Sequence, residues 1–325
     1  MTEAVFVEAP SRLHFGPIDL RGDLGRWFGG IGAALEAPSL LLEASRAESL
    51  AAEGEDAERV LATARLFLEH HAIGAGARLR IHRGLPAHAG LGSGTQLALA
   101  TGRALAALFG LAGDAPGLAA ATSRGRRSAI GTWAFERGGF LLEGGRSTRG
   151  DAPAPLLLQR ALPEAWRCVV AIPDVPRGLS GRAEDAAFRA LPAPPPELGE
   201  RIAHRVLMLV LPALVEQDLA GFGRGLTEVQ RLVGEAFEPV QGARFAHPRV
   251  AALVDALLAS GAAGAGQSSW GPAVFGLFGE EPQARGAAER LRAVEPHGLW
   301  LQVTGFNNRG ARVWTATAPS GPSRG

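Results

Sequence analysis

Lysine is absent from this chain of 325 residues, and with it goes the commonest way of holding a nucleotide phosphate. A P-loop needs an ammonium after its last glycine, and Gly90-Leu-Gly-Ser-Gly-Thr-Gln96 ends in a residue that carries none. The same glycine spacing departs from the dinucleotide fingerprint, because Gln96-Leu97 follow Gly94 where a further glycine is needed. Cysteine is almost absent: Cys168 stands alone, so no intrachain disulfide and no multi-cysteine metal site can form. Its context, Trp166-Arg-Cys-Val-Val-Ala-Ile172, reads as a buried strand rather than a nucleophile's setting. The start, Met1-Thr-Glu-Ala-Val-Phe-Val7, lacks the basic and apolar regions of a signal peptide. The longest apolar run, Val206 to Val215, is too short to span a bilayer and contains Pro212. A cytoplasmic protein is expected. The formal charge of +1 gives no broad attraction for nucleic acid or an anionic membrane, so neither is expected as a partner. His70-His71 have no acidic or histidine partner at metal-ligand spacing and read as a surface helix end.

What is present is ample apolar content, 46%, and 44 glycines, enough for two packed domains. Ala4–Val7, Ser39–Glu43, Ala77–His82 and Gly139–Glu143 suit strands, the third by clean alternation. Asp56–Glu69, the run after Gly94 and a window near Gly117 to Ser123 suit helices, giving an α+β first half. Asp151-Ala-Pro-Ala-Pro155 ends that half. Helical windows follow at Glu197–Gln217, Leu219–Val233 and Pro248–Ser260, and Ala273–Phe278 suits a strand. The expected division is 1–155, 156–318 and a disordered tail over 319–325.

Leu85 to Gln96, running into the apolar helical pattern to Phe109, reads as an anion cradle. Gly90, Gly92 and Gly94 permit close backbone approach, Ser93 and Thr95 add hydroxyls, and the following helix offers free amides. A tight turn with a helix cap has the same local pattern. Gly261 to Pro272 is a second glycine-rich segment, either a flexible turn or a ligand approach with Gln267, Ser268 and Ser269 as donors and Trp270 as an apolar wall.

In this order the pieces resemble the GHMP kinase superfamily. Ala9-Pro-Ser-Arg-Leu-His-Phe-Gly16 resembles its first motif, Pro86 to Gln96 its second and Gly261 to Gly276 its third. Within the superfamily the β-ribofuranosylaminobenzene 5′-phosphate synthase family is the nearest match. Arg12-Leu-His-Phe15, Ile18-Asp-Leu20, Leu24-Gly-Arg26, Gly29-Gly-Ile-Gly32, Arg124-Gly-Arg-Arg-Ser128, Arg177-Gly-Leu-Ser-Gly181 and Trp270-Gly-Pro-Ala273 carry that resemblance, which spans nearly the whole chain.

The resemblance implies an α+β, GHMP-kinase-like fold in which an N-terminal domain like ribosomal protein S5 domain 2 meets a ferredoxin-like C-terminal domain across a cleft. It also implies a reaction of phosphoribosyl pyrophosphate with 4-aminobenzoate or 4-hydroxybenzoate, releasing carbon dioxide and pyrophosphate, in methanopterin biosynthesis. Mg²⁺ on the pyrophosphate and a homodimer are expected with it. Catalytic roles are then expected for Asp19, Arg26 and His88, with Arg26 as the first candidate for the benzoate carboxylate. Asp19 could orient ribose hydroxyls, bind Mg²⁺ or stabilise the cation. Substrate contacts are expected from Arg12, His14, Gly90, Gly92, Ser93, Gly94, Thr95, Gln96, Arg126, Arg127, Ser128, Thr132, Gln267, Ser268 and Trp270. No metal ligand can be assigned.

Two other readings stay open. An ATP-dependent small-molecule kinase would use the same cleft, although Ser11-Arg12 stand where many such kinases carry Lys and Gly131-Thr-Trp-Ala-Phe135 lacks their Asp. A non-catalytic metabolite-binding subunit would explain Pro17 and Trp27-Phe28, which depart from the family pattern.

Overall fold

The computed structural model describes residues 3–125, 127–150, 152–178 and 181–317. Arg126 and the tail 319–325 lie outside the described residues. In chain order the first part runs β1 (Glu3–Asp19), β2 (Arg26–Ala47), β3 (Ala51–Glu53), α1 (Ala57–His70), β4 (Gly76–Arg83), α2 (Ser93–Phe109), α3 (Ala115–Ala121), α4 (Ile130–Arg137), β5 (Phe140–Glu143), β6 (Arg146–Ser147) and β7 (Leu156–Arg160). The second part runs β8 (Arg167–Pro173), α5 (Gly181–Ala190), α6 (Pro196–Arg205), α7 (Leu211–Glu216), α8 (Leu219–Gln241), α9 (Pro248–Ala259), β9 (Gly264–Gln267), β10 (Val274–Phe278), α10 (Glu281–Val294), β11 (Leu299–Thr304) and β12 (Arg312–Thr317).

Among the described residues two sheets form. An eight-stranded one is built on the order β12-β1-β2-β4-β3, with β5 and β6 on β2 and β7 on β5; a four-stranded one has the order β11-β8-β10-β9. The first sheet thus takes β7 from beyond residue 155 and its edge strand from the end of the chain. The fold is the α+β arrangement expected.

The spine is the β1–β2 pair, whose antiparallel register shifts between Pro10 and Ser11 and again between His14 and Gly16. Those shifts re-aim the strand. Before the first, Val5, Val7 and Ala9 join the core under α1 and α2. After it, Leu13 and Phe15 join a different core, with Val170, Phe222 and Phe275 from the second part. Side chains alternate along a strand, so burying Leu13 and Phe15 sends Arg12 and His14 to the opposite face. That face borders the cavity described below.

α2 begins where Gly92 takes φ 82° and ends at Gly110 with φ 71°, both left-handed conformations that suit glycine. Leu97, Leu99, Ala100, Ala104 and Leu105 anchor it in the core with α1. α8 is capped by Asp218, whose carboxylate accepts from Gly221 N at 3.0 Å. Cys168 is fully buried on β8, as its context predicts, and burial pushes its thiol pKa up. No helix among the described residues is long and apolar enough to cross a membrane.

Candidate functional site

A cavity of about 580 Å³ opens where the β1–β2 spine, the start of α2, α5 and the end of α8 meet. Its volume lies within the range of small-molecule sites. One part is built for anions. Among the described residues the amides of Ser93 and Gly94 donate to no carbonyl, so the first turn of α2 presents free N–H groups. Arg12 lies over the loop: a Cβ on Gly92 would meet its Cγ at 3.1 Å, and its guanidinium donates to Gly90 O. Burial holds the Arg12 pKa down at about 10, with Glu184 opposing, so the group is still charged at neutral pH. Arg59 and Arg124 flank Gly94, where a Cβ would meet their Nη atoms at 3.1 and 3.6 Å. Arg59 is braced by Asp56 at 3.0 Å. Burial first, then the neighbouring Arg59 and Arg127, lower the Arg124 pKa.

Behind this part lies a polar shelf. His14 Nε2 is 3.1 Å from Ser128 Oγ, which also accepts from Ile130 N at 3.2 Å. Burial, then Arg12, push His14 down to about 3, so the imidazole is neutral and serves as a hydrogen-bonding group rather than an acid. Glu143, fully buried on β5, accepts from Gly145 N at 3.0 Å. Burial raises its pKa to about 7, against the Gly145 amide, the Ser128 hydroxyl and the Ala129 amide, which favour its charged form. Ser268 Oγ accepts from His14 N at 3.0 Å and donates to Gly90 O at 2.7 Å, tying the second glycine-rich segment to the first. Gln230 accepts from Gln267 N at 2.8 Å and donates to Phe15 O, so α8, β9 and β1 meet on one side chain.

The remaining wall is aromatic. Phe28 meets Phe188 edge-on at 5.2 Å, Phe188 meets Trp270 at 5.3 Å, and Phe237 meets Trp270 at 4.6 Å. The Arg127 guanidinium lies 5.8 Å from the Phe188 ring and pairs with Glu184 at 2.5 Å. Backbone strain gathers here too. Phe28, His88, Ser123 and Ser269 line the cavity and have φ of 72°, 54°, 57° and 56°, a region costly for L side chains.

Of the residues selected from sequence, the cavity brings together Arg12, His14, His88, Gly90, Gly92, Ser93, Gly94, Thr95, Arg127, Ser128, Gln267 and Trp270. Others stand outside its lining. Gln96 is buried and donates to Gly131 O at 2.8 Å, joining α2 to α4. Thr132 is fully buried in the first turn of α4. Ser268 supports the wall from behind. Asp19 ends β1, accepts from Arg21 N at 2.7 Å and borders a separate small depression. Arg26 is exposed at the start of β2, where it pairs with Ser147 and donates to Gly145 O at 2.8 Å. The glycines that flank Arg26 in sequence suggest a loop, but cross-strand pairing with β6 makes it a strand. Arg59, Arg124, Glu184, Phe188, Gln230 and Arg244 are lining residues that sequence reasoning did not select. Of these, Arg124 alone stands in one of the motifs that carry the family resemblance.

The chain matches the family pattern described as GHMP kinases N terminal domain over residues 58–133 and that of GHMP kinases C terminal over 210–297. It is 34% identical to the beta-ribofuranosylphenol 5′-phosphate synthase of Methanothermobacter thermautotrophicus, over 96% of this chain and 99% of that protein. It is 33% identical to the one from Methanocaldococcus jannaschii, over 95% of this chain and 100% of that protein. The chain belongs to the GHMP kinase superfamily and, within it, to this synthase family. The 4-diphosphocytidyl-2-C-methyl-D-erythritol kinase of Parvibaculum lavamentivorans is more distant, 29% identical over 83% of each chain. Solved structures agree on the fold: L. major mevalonate kinase superposes with a TM-score of 0.70 at 17% identity, covering 92% of this chain and 95% of that one. Synthase-family membership makes this chain an enzyme of that kind, and its glycine-rich cradle stands on the stretch that the N-terminal pattern covers.

Proposed function

We propose that this enzyme is a decarboxylating phosphoribosyltransferase, joining phosphoribosyl pyrophosphate to a 4-substituted benzoate. The observation that carries the reading is one cavity with two chemistries: an arginine-flanked glycine cradle and a wall of aromatic rings. The cradle suits a pyrophosphate and the rings suit a planar aromatic acceptor.

In this reading the bond from the ribose anomeric carbon to the pyrophosphate oxygen breaks, and its electron pair leaves with pyrophosphate. Negative charge grows where Arg12, Arg59, Arg124 and the free amides of α2 converge, which is where stabilisation lowers the barrier. The ring carbon that bears the carboxylate attacks the anomeric carbon. The ring–carboxylate bond then breaks, its electron pair restores aromaticity, and carbon dioxide departs. Neutral His14 and Ser128 are placed to hydrogen-bond ribose or phosphate oxygens. His88, at the cavity edge, is placed to contact the substrate.

Among the described residues no group of three or more His, Cys, Asp or Glu side chains could hold a metal. Glu184, the carboxylate in the described lining, is paired with Arg127. This donor set fits a Mg²⁺ carried on the pyrophosphate oxygens, with Ser93 and Thr95 as neighbouring hydroxyls. Bound that way, the ion would neutralise leaving-group charge.

The relatives' names carry a phenol, which favours 4-hydroxybenzoate over 4-aminobenzoate as acceptor, and a product of this kind would serve methanopterin biosynthesis. The test is to incubate the protein with Mg²⁺, phosphoribosyl pyrophosphate and either carboxyl-labelled benzoate. Matched release of labelled carbon dioxide and pyrophosphate is expected. No release from either benzoate, together with ATP consumption on an alcohol acceptor, would replace this reading with a kinase.

A further inference from the structure

The benzoate carboxylate needs a cation within reach of the aromatic wall, and exposed Arg26 lies outside the cavity lining. Arg127 borders the rings but already pairs with Glu184. Arg244 is different. It lines the cavity next to Phe245, just after α8, and among the described residues no hydrogen bond or ion pair engages its guanidinium. Its stem lies against α8: a Cβ on Gly234 would meet Arg244 Cγ at 2.4 Å. Gly234 and Phe237 are three residues apart on that helix and so share a face. Arg244 therefore packs its stem one helical turn from Phe237, and both residues line the cavity.

The aromatic corner suits a ring. Phe188 meets Phe237 at 5.8 Å and 77° and Trp270 at 5.3 Å and 80°, so the rings pack edge to face on one another and present one apolar surface to the cavity. A planar guest can lie against that surface in the same edge-to-face or offset manner. Phe28 closes the corner while held at φ 72°, a conformation that persists only where its surroundings fix it.

We propose that Arg244 anchors the carboxylate of the acceptor and that Phe28, Phe188, Phe237 and Trp270 hold its ring, which makes this corner the specificity pocket for para-substituted benzoates. The proposal rests on the phosphoribosyl-transfer reading above. Arg244 is exposed, so replacing it should leave the fold intact, and a thermal melt checks this.

The test measures KM for 4-hydroxybenzoate and for phosphoribosyl pyrophosphate separately in the wild type, Arg244→Gln and Phe188→Leu. Arg244→Gln should raise the benzoate KM by about tenfold or more, the loss expected for a charge-assisted hydrogen bond, and leave the other KM within about twofold. Phe188→Leu should raise the benzoate KM by about threefold. Calorimetry should show the wild type preferring 4-hydroxybenzoate to neutral 4-hydroxybenzamide, and Arg244→Gln losing that preference. Turnover with an unchanged benzoate KM in both variants would overturn the pocket while the transferase reading stands. A rise in both KM values for Arg244→Gln would assign that residue to the phosphates and overturn the anchor. A wild type that neither binds nor consumes any 4-substituted benzoate would remove the transferase reading and this pocket together.

Discussion

Glu143 and His14 face each other's chemistry through Ser128, and their displaced pKa values pull stability in opposite directions with pH. His14 titrates near 3 in the fold against an ordinary 6.5, so the unfolded chain binds the proton between those values. Its contribution is whole above about pH 6.5 and lost as pH falls toward 3. Glu143 titrates near 7 in the fold against an ordinary 4.5. Here the folded state holds the proton more tightly, so stability is whole below 4.5 and lost as pH rises through 7. Glu143→Gln keeps an oxygen for the Gly145 amide and removes the ionisation. It should gain on the order of 3 kcal/mol over the wild type at about pH 8, as a ceiling, and much less near pH 5. Urea midpoints at both values decide it; equal gains would place the effect in packing rather than charge. At this scale the sequence disclosed Arg12, His14 and the glycine cradle because motif spacing marks them. It could not disclose Arg59 or Arg244, single arginines in ordinary helical or turn contexts whose role comes only from tertiary approach. Arg26 shows the converse, since neighbouring glycines suggested a ligand loop where strand pairing with β6 holds the residue elsewhere.

At the scale of elements, the entry to α2 is fixed by glycines that are not equivalent. A Cβ on Gly90 would fall 2.2 Å from Ser268 O, and its φ is +87°. Both objections concern backbone, so the loop could accommodate a methyl group there only by parting the two glycine-rich segments. At Gly110, past the other end of the same helix, φ is +71° and a Cβ would meet nothing within 4 Å. Gly110→Ala should therefore cost only about 1 kcal/mol of left-handed strain. Gly90→Ala should cost several times more and lose pyrophosphate binding; similar melting temperatures for the two variants would refute the difference. Helices α1, α2, α8 and α9 were legible because their apolar spacing is strong. The register shifts in β1 were not, because Pro10 and Gly16 signal a break without saying where the strand resumes. β12 escaped notice as well: Arg312 to Thr317 alternates weakly, and its pairing with the far end of the chain is non-local.

For the whole molecule, the decisive fact is that the two sheets share one core. Leu13, Phe15 and Ile31 from the first pack in the same cluster as Val170, Phe222 and Phe275 from the second part, and Leu35 bridges to Phe306. Phe15 meets Phe275 edge-on at 5.0 Å across that seam. Two halves with separate cores would unfold in two steps, whereas a shared core couples them, so far-UV ellipticity and tryptophan fluorescence should report one coincident urea transition. The cavity lies on the same seam, lined by Arg12 and Gly92 from one part and by Phe237 and Trp270 from the other. A ligand seated there binds only when both parts are folded, and at a hundredfold its Kd it should add about 2.7 kcal/mol to the stability of the entire chain. Pyrophosphate should thus shift the single transition without splitting it, and Arg12→Gln, which removes the guanidinium over the cradle, should abolish most of that shift. A pyrophosphate response confined to one of two resolved transitions would show that the cradle belongs to the first sheet's part alone and that the shared core does not carry the coupling.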